Sequence, residues 1–348
     1  MPTLWGQDKQ GNNVYRHTLS NANGMRVVIC NYGAIIQQIV APSKHMGAIN
    51  TVLNFNRLSD YLADTQSIGA VCGRYCNRIV NAEFKLNNER YPLADNCDDD
   101  NIHSGPIGFN KRTWEISQVG PVSITLKLVS EDGDQGFPGE LTAQVSYHLD
   151  EDNTLSFNWR AHSDKDTVVS LTNHTYFNLS GDANIVDHTL RIPCTHYTPQ
   201  TDEGAPTGKI ARVDGTVFDF TKAKPLREIY PSVPPKLTHP ELVESLGLNH
   251  NWTHNDTEIS PHPVLQAELF CPKSGLSLQA LSTLPGLQCY TGNHLHKDTP
   301  FKQYAGICLE SQYFPDSPNQ PSFPSAVLRA GETLKHKTLY RFANEAAH

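Results

Sequence analysis

Hydrophobic and polar residues alternate with a period of two along much of this chain. The alternation is clearest in residues 123–130, 142–149 and 154–163, where apolar residues such as Leu126 and Trp159 stand between polar neighbours. This period places one face of a strand in a core and the other face in water or in a cleft. The pattern therefore predicts half-buried antiparallel strands.

Short turn sequences separate the predicted strands, and helical patterns are few. Only residues 57–64 and 239–248 fit short helices. Neither a repeat nor a linker-like change of composition divides the chain, so we predict a single all-β domain of stacked sheets over residues 1–348. Typical turn dipeptides are Asn23-Gly24, Asp132-Gly133, Asp214-Gly215 and Pro285-Gly286.

Composition narrows the range of partners. The 348 residues include 28 basic and 36 acidic side chains, a formal net charge of −8, without a block of lysine or arginine. This balance argues against nucleic acid or an anionic membrane as the main partner and leaves small neutral ligands open. We find no signal-peptide pattern and no stretch long enough to span a membrane. Eight scattered cysteines fit free thiols in a reducing compartment, so we expect a cytoplasmic protein.

The most informative stretch is ICLESQYFPDSPNQPSFPS, residues 307–325. Glu310 follows an apolar run that is typical of a buried strand, and prolines then recur at every third residue, at positions 315, 318, 321 and 324. Proline at this spacing favours polyproline II, which has the same period and a fixed backbone. The pattern predicts a stiff segment after Glu310. It fits either a braced functional carboxylate or an ordinary strand followed by a surface loop.

Other segments place polar side chains among strand-forming residues. Asn77 and Arg78 interrupt an apolar stretch, and the donor fork of arginine suits vicinal hydroxyls or a carboxylate. His103 precedes a glycine-proline turn, with Phe109 and Trp114 beyond it. Aromatic faces beside hydrogen-bonding groups can hold a sugar ring. A structural ion pair of Arg78 and simple core packing of the two aromatic rings are the alternatives.

Two more segments combine polar and aromatic groups on one strand face. His174 shares a face with Thr172 and Tyr176, and Gln288 shares a face with Tyr290. A histidine in a strand is either a satisfied structural group or a proton donor and acceptor. The sequence leaves both roles open for His174.

Motifs for metals and cofactors are weak. His294 and His296 are spaced like two ligands on one strand face, but a third ligand at a diagnostic spacing is missing from the sequence. The patterns of nucleotide-binding loops, serine hydrolases and zinc proteases are also missing. The remaining histidine, carboxylate, arginine, amides and aromatic rings suit proton transfer on a neutral polyol without a metal or cofactor.

Taken together and in this order, the motifs resemble those of the aldose 1-epimerase (galactose mutarotase) family. The resemblance runs from residues 32–42 to residues 323–332, and its most specific pieces are GRYCNRI, NIHSGPIGFNKRTW, NHTYFNLSG, VFDF, LQCYTGN and LESQYFPDSPNQPSFPS. It implies a large antiparallel β-supersandwich. It also implies an enzyme that interconverts the α and β anomers of a free aldose without metal or cofactor.

The same resemblance implies roles for individual residues. Glu310 is then the general base and His174 the general acid. The expected partner is a small-molecule sugar, and we expect a monomer or a homodimer. The substrate-binding residues are then Asn77, Arg78, His103, Tyr176, Asn249 and Gln288.

Asn249 departs from the family pattern, in which an aspartate usually precedes His-Asn-Trp or His-Asn-Phe. The amide in LNHNW puts the usual hexose specificity in doubt and leaves open a modified sugar, such as a deoxy sugar or a pentose. A sugar phosphate is less well supported, because Arg78 and at most Lys111 or Arg112 supply positive charge. A non-catalytic sugar-binding protein on the same fold is the other alternative.

Overall fold

Strands are the main secondary structure, and the longer ones are built from alternating residues. The structure is a computed structural model and describes residues 1–230, 232, 236–254 and 259–344. Within these residues the α-helices are α1 (Leu58–Leu62) and α2 (Pro240–Glu244). Both lie inside the predicted ranges 57–64 and 239–248 but are only five residues long. Such short helices depend on tertiary packing, since one or two turns are not stable alone.

The strands are numbered in chain order. Up to residue 163 they are β1 (Thr3–Gln7), β2 (Asn13–Ser20), β3 (Arg26–Cys30), β4 (Ile35–Ser43), β5 (Gly47–Asn50), β6 (Val71–Cys72), β7 (Arg78–Ile79), β8 (Glu83–Leu86), β9 (Glu89–Pro92), β10 (Asn101–Ile102), β11 (Glu115–Val119), β12 (Ser123–Ser130), β13 (Leu141–Leu149) and β14 (Thr154–Ser163). The later strands are β15 (Thr167–Val168), β16 (Thr172–Asn173), β17 (Tyr176–Phe177), β18 (Thr189–Arg191), β19 (His196–Thr198), β20 (Ala211–Arg212), β21 (Lys224–Pro225), β22 (Asn249–Thr253), β23 (Val264–Cys271), β24 (Leu276–Ser282), β25 (Gly286–Tyr290), β26 (Ile307–Gln312), β27 (Val327–Leu328) and β28 (Thr333–Ala343).

Three sheets carry the larger strands. One has the order β1-β2-β3-β4-β5, the second β11-β12-β13-β14-β28-β24-β23-β18-β21, and the third β17-β26-β25-β22-β19-β20. The three strands predicted most clearly are β12, β13 and β14, which pair antiparallel as neighbours in the nine-stranded sheet. The predicted all-β fold of stacked antiparallel sheets is confirmed.

A hydrophobic core lies between the nine-stranded and six-stranded sheets. Trp159 of β14 and Leu309 of β26 belong to the same buried cluster. Tyr340 of β28 packs against Phe177 of β17 at 5.1 Å between ring centroids, and its hydroxyl donates to the carbonyl oxygen of Leu309. Each large buried side chain contributes about 1.5–3 kcal/mol. The inner face of the six-stranded sheet is therefore fixed, and its other face is free to form a cleft.

The segment after β26 is not a polyproline II helix, so that prediction is wrong. Asp316 has a left-handed backbone (φ 59°), and a 3₁₀ turn follows over Ser317–Asn319. The Asp316 N–H donates to the carbonyl oxygen of Arg78 at 2.7 Å, and its carboxylate accepts the Val80 N–H at 3.0 Å. Polyproline II has no internal hydrogen bonds, whereas the buried start of this segment, residues 315–317, needs partners for its polar groups. Together with the hydrogen bond that the Asn319 amide donates to the Glu83 carbonyl oxygen, these contacts pin the segment to residues 78–83.

The cysteines are free, as the sequence predicted. Cys97 is partly exposed and the other seven are buried. Within the described ranges, no helix has the length and apolar character that crossing a membrane requires.

Candidate active site

A cleft of about 580 Å³ lies on the outer face of the six-stranded sheet. Its walls come from parts of the chain that are far apart in sequence, which only the sheet pairing brings together. The eight residues singled out from the sequence all line it: Asn77, Arg78, His103, His174, Tyr176, Asn249, Gln288 and Glu310.

Three polar residues stand in a row across the six-stranded sheet, and two of them, Gln288 and Glu310, line the cleft. Asn251 of β22 stands opposite Gln288 of β25, which stands opposite Glu310 of β26. Neighbours along each strand point the other way, and Leu287 and Leu309 lie in the core. The strand register therefore fixes which side chains face the cleft.

A second row lies beside the first. Asn249 pairs with Tyr290, Tyr290 with Cys308, and Cys308 with Tyr176. Cys308 and Glu310 are two residues apart on β26 and so share the cleft face. The thiol and the carboxylate are thereby neighbours: Glu310 lines the cleft, and Cys308 is completely buried beside it.

Glu310 is almost completely buried, with 2% of its surface exposed. Its Oε2 atom has no hydrogen-bond partner among the described residues. Burial raises the pKa of this carboxyl group to about 8, because the charged form loses water without gaining donors. A buried oxygen without a partner and a displaced pKa are typical of a functional carboxylate.

His174 lies between β16 and β17, and its backbone is held on both sides. Its N–H donates to the Ala70 carbonyl oxygen at 2.8 Å, and its carbonyl oxygen accepts the Gly69 N–H at 2.9 Å. The ring Nε2 is 3.7 Å from Oε1 of Glu310, and Nδ1 is 3.5 Å from Sγ of Cys308. Burial lowers the pKa of His174 to about 4.

The two displaced pKa values define the charge state of the cleft floor. Near neutral pH, Glu310 with a pKa of about 8 keeps its proton and His174 with a pKa of about 4 stays neutral. The pair therefore carries one transferable proton. Moving it from the carboxyl group to the imidazole creates an ion pair without changing the number of bound protons.

Asn77 and His103 form one wall through unusual backbone conformations. Both have left-handed φ angles, 60° and 51°. The His103 N–H donates to the Asn77 carbonyl oxygen, and the Asn77 N–H donates to Nδ1 of His103 at 3.1 Å. Burial lowers the pKa of His103 to about 3, so the ring is neutral. Since Nδ1 is the acceptor, Nε2 carries the hydrogen and is a donor.

Arg78 forms an ion pair with Asp100, the structural arrangement that the sequence left open. Asp100 is buried and also accepts the Asn81 N–H at 2.8 Å. The guanidinium group still lines the cleft. A paired arginine holds a fixed orientation, and its remaining donors keep the direction that hydrogen bonding to a ligand requires.

Asn249 and Gln288 hydrogen-bond to each other on the cleft floor. Nε2 of Gln288 donates to Oδ1 of Asn249 at 2.8 Å, which leaves Oε1 of Gln288 buried without a partner in the described structure. The Asn249 carbonyl oxygen accepts Nε2 of Gln200 at 2.8 Å. The side-chain oxygen of Asn249 therefore already accepts a hydrogen bond from another residue of the protein.

One sequence interpretation fails at this site, and its alternative, core packing of two aromatic rings, holds. Phe109 and Trp114 pack edge to face in the core at 5.7 Å and do not line the cleft, so they are not a platform for a sugar ring. His294 lines the cleft, but the described His, Cys, Asp and Glu residues close enough to share an ion are a different group. That group is His174, Cys308 and Glu310, whose ligand atoms lie within 4.8 Å of one another.

The cleft also contains residues that sequence reasoning did not select. The Tyr290 ring is 6.2 Å from that of His174. Its place on the same strand face as Gln288 could have identified it as a cleft residue from the sequence. Cys308 is buried beside the cleft rather than lining it, and its position two residues before Glu310 on the same strand could have drawn attention to it. Gln66 and Gln200 reach the cleft from loops, where the period of two does not apply.

Comparison with known proteins agrees with this geometry. The model of the aldose 1-epimerase family matches residues 15–341. This chain belongs to the aldose 1-epimerase family. The predicted resemblance is thereby confirmed over nearly the whole chain.

Relatives named for the same family are similar along their full length. A galactose mutarotase of Mus musculus is 34% identical, with 98% of each chain covered. An aldose 1-epimerase of Haemophilus influenzae is 35% identical over 93% of this chain and 94% of its own length. The galactose mutarotase of Homo sapiens is 36% identical over 92% of this chain and 91% of its own.

Solved structures of the aldose 1-epimerase family share the fold. A GalM/aldose epimerase homologue from C. elegans aligns with a TM-score of 0.86 and 26% identity, covering 95% of this chain and 99% of its own. A galactose 1-epimerase from Lactobacillus acidophilus aligns with a TM-score of 0.84 and 28% identity, covering 99% of both chains. The predicted β-supersandwich is confirmed.

Proposed function

We propose that this protein is an aldose 1-epimerase, an isomerase that interconverts the α and β anomers of a free aldose. Membership of the family supports the activity. The observation that carries the proposal is the buried pair of Glu310 and His174, 3.7 Å apart at the floor of a cleft large enough for a monosaccharide. We propose Glu310 as general base and His174 as general acid.

Ring opening uses the ionised form of the pair. The Glu310 carboxylate takes the proton from the anomeric hydroxyl O1, and the His174 imidazolium gives its Nε2 proton to the ring oxygen O5. The C1–O5 bond breaks, and C1 becomes an aldehyde. Rotation about the C1–C2 bond presents the other face of the carbonyl group, and closure reverses both transfers.

Burial favours the opening step. The carboxylate gains a proton and the imidazolium loses one, which are the directions in which burial displaces the two pKa values. The starting ion pair must be stabilised by the substrate. Sugar hydroxyls supply donors to Oε2 of Glu310, and hydrogen bonds to the charged form lower the pKa of a carboxyl group. Substrate binding and the creation of the reactive ion pair are thereby coupled.

We propose that the surrounding polar residues hold the sugar. The Nε2–H of His103 and the guanidinium of Arg78 are donors to sugar oxygens. Tyr176 gives an apolar wall beside His174, at 5.0 Å between ring centroids. The amide groups that complete the floor and wall of the site belong to Asn77, Asn249 and Gln288.

The charge of the cleft favours an uncharged sugar. Among the described lining residues the cations are Lys297 and the paired Arg78, whereas several carboxylates surround the opening. A sugar phosphate would meet net negative charge there, which disfavours its binding. The lining carboxylates besides Glu310 are Asp98, Asp202, Glu203, Glu241 and Glu244.

Asn249 supports a second candidate substrate class, a deoxy sugar or a pentose. Its oxygen is already bound to Gln288, so its amide hydrogens are what it can offer to a ligand. We expect Asn249→Asp to shift the ratio of kcat/KM values toward galactose and glucose, since a carboxylate accepts stronger hydrogen bonds from hydroxyls. An unchanged ranking across galactose, glucose, arabinose and 2-deoxy sugars would show that Asn249 does not set specificity.

Polarimetry of freshly dissolved aldoses tests the activity, after subtraction of spontaneous mutarotation. We expect Glu310→Gln and His174→Asn each to lower the enzymatic rate at least ~10²-fold, the loss expected for a positioned acid or base. The double variant should be little worse than either single one, because the two groups act as a unit. Sugar binding without any catalysis by the wild type would instead establish a non-catalytic binding protein.

We further propose that the protein acts in the cytoplasm as a monomer or a homodimer. Its free thiols fit a reducing compartment. Size-exclusion chromatography with light scattering will determine the oligomeric state.

A further inference from the structure

The imidazole of His174 lies between two groups of strand β26. Its Nε2 faces the carboxylate of Glu310, and its Nδ1 faces the sulfur of Cys308 at 3.5 Å. Cys308 is completely buried. Among the described residues, this thiol is the hydrogen-bond partner of Nδ1. The Cys308 thiol can therefore influence whether Nδ1 of His174 carries a hydrogen.

The proposed reaction requires a hydrogen on Nδ1 of His174 at every step. An imidazolium carries hydrogen on both nitrogens. After Nε2 gives its proton to O5, the hydrogen that remains is on Nδ1, and Nε2 has the lone pair that takes the proton back during closure. Nδ1 must therefore hold its hydrogen through the whole cycle. The other neutral tautomer, with hydrogen on Nε2, cannot accept the proton from O5.

A thiol is a suitable partner for this task. Burial raises the pKa of Cys308 well above the ordinary value for a thiol, so the sulfur stays neutral and offers Nδ1–H a weak acceptor. A carboxylate in the same place would fix the same tautomer but would stabilise the imidazolium and weaken it as an acid. The neutral sulfur orients the ring and leaves its acidity high.

We propose that Cys308 is a positioning residue whose sulfur accepts the Nδ1–H of His174, so that Nε2 is the nitrogen that exchanges protons with the substrate. The inference rests on the proposed epimerase function, because the reaction cycle requires this tautomer. The thiol itself forms and breaks no bond.

Cys289 provides a matched control. It is equally buried and lies on the neighbouring strand β25, but its cross-strand partner is Leu309 and it faces the core. Replacing Cys289 with alanine removes the same atoms from the protein interior without touching His174. Any general effect of losing a buried thiol should appear in both variants.

The experiment combines ring nitrogen spectra with kinetics. The protein is labelled with ¹⁵N-histidine, and His174→Asn assigns the His174 signals. Spectra of the ligand-free wild type, Cys308→Ala, Cys308→Ser and Cys289→Ala near neutral pH report which ring nitrogen carries hydrogen. Mutarotation kinetics of the same proteins give kcat and KM.

We expect the wild type, Cys308→Ser and Cys289→Ala to hold hydrogen on Nδ1, and Cys308→Ala to show a mixture of tautomers. We expect Cys308→Ala to lose about tenfold or more in kcat with little change in KM, as for other partners that orient a functional histidine. Cys308→Ser should recover most of the loss, because its hydroxyl oxygen is also an acceptor.

Two results would overturn the proposal: hydrogen on Nε2 in the wild type, or a Cys308→Ala variant that keeps both the Nδ1–H tautomer and the wild-type kcat. The spectra need no substrate, so they remain informative if no aldose is epimerised. Failure of the proposed function appears as an inactive wild type, whereas failure of this inference alone appears as an active Cys308→Ala variant with an unchanged tautomer.

Discussion

At the scale of single residues, the cleft depends on a carboxyl group placed where its charged form is poorly solvated. Glu310 shares its strand face with the thiol of Cys308, and its Oε2 atom is without a hydrogen-bond donor in the described structure. An ordinary strand would carry an apolar residue at this position. Once the carboxylate forms, its poor solvation favours any reaction step that protonates it again.

This placement predicts that Glu310→Gln stabilises the folded protein. The pKa of Glu310 is raised from 4.5 to about 8, so the fold favours the protonated form. The stability that protonated Glu310 gives the fold is fully present below the pKa of this group in the unfolded chain. It is lost as the pH rises through the pKa in the folded protein. Glutamine does not ionise, so the variant should gain on the order of a few kcal/mol over wild type as pH rises from 4.5 to above 8.

Thermal unfolding of both proteins across this range measures the difference. The two melting temperatures should agree most closely below pH 4.5 and separate as pH increases. Equal melting temperatures at every pH would show that Glu310 titrates normally in the fold.

The same pair predicts a bell-shaped dependence of kcat/KM on pH. The reaction needs one proton on the pair, so activity should fall below the pKa of His174, about 4, when a second proton binds. It should also fall above the pKa of Glu310, about 8, when the last proton leaves. These limits belong to the coupled pair rather than to either residue. A profile without a fall at high pH would contradict the raised pKa of Glu310.

At the scale of secondary-structure elements, local patterns predicted strands well and irregular segments poorly. The alternation in β12, β13 and β14 follows directly from side-chain geometry, and the face of Glu310 and Gln288 follows from the same rule. The polyproline II prediction for the proline-rich segment was wrong because the conformation depends on Asp316 and on its distant partners Arg78 and Val80. Such pairings over more than 200 residues have no local signature.

The pinned segment predicts the effect of Asp316→Ala. The variant loses carboxylate hydrogen bonds to the N–H of Val80 and to the amides of Asn319 and Gln320, which remain partly buried. We expect a loss of about 2–3 kcal/mol in the free energy of unfolding, and a lower kcat because the segment continues β26 beyond Glu310. Urea unfolding and polarimetry measure the two effects.

Ser325→Ala is the control for this variant, since Ser325 is exposed in the same segment. Its free energy of unfolding should stay within about 0.5 kcal/mol of wild type. A stable and fully active Asp316→Ala protein would mean that the pinning does not hold the segment.

At the scale of the whole molecule, the final strand holds the nine-stranded sheet together. β28 pairs with β14 on one side and with β24 on the other. It buries Tyr340 and Phe342 in the core, and Tyr340 contacts the strand that carries Glu310. We therefore expect residues from both halves of the sequence to fold as one domain.

Removal of β28 tests this expectation. A chain that ends at Glu332 should fail to fold, because the buried side chains that it loses are worth about 1.5–3 kcal/mol each and net stability is only about 5–15 kcal/mol. Circular dichroism and thermal unfolding report the result. Lys335→Gln, an exposed substitution within β28, should leave the melting temperature unchanged. An independently folded truncated chain would indicate two separable units.

The central place of the last strand also has a consequence during synthesis. β14 ends at Ser163 and β28 begins at Thr333, so the ribosome adds about 170 residues between the two partners. At about 5–20 residues per second this takes roughly 10–30 s. Throughout that interval the nascent chain presents unpaired strand edges, which readily pair with other chains. Expression yield should therefore depend on translation rate and on ribosome-associated chaperones more strongly than the stability of the finished protein suggests.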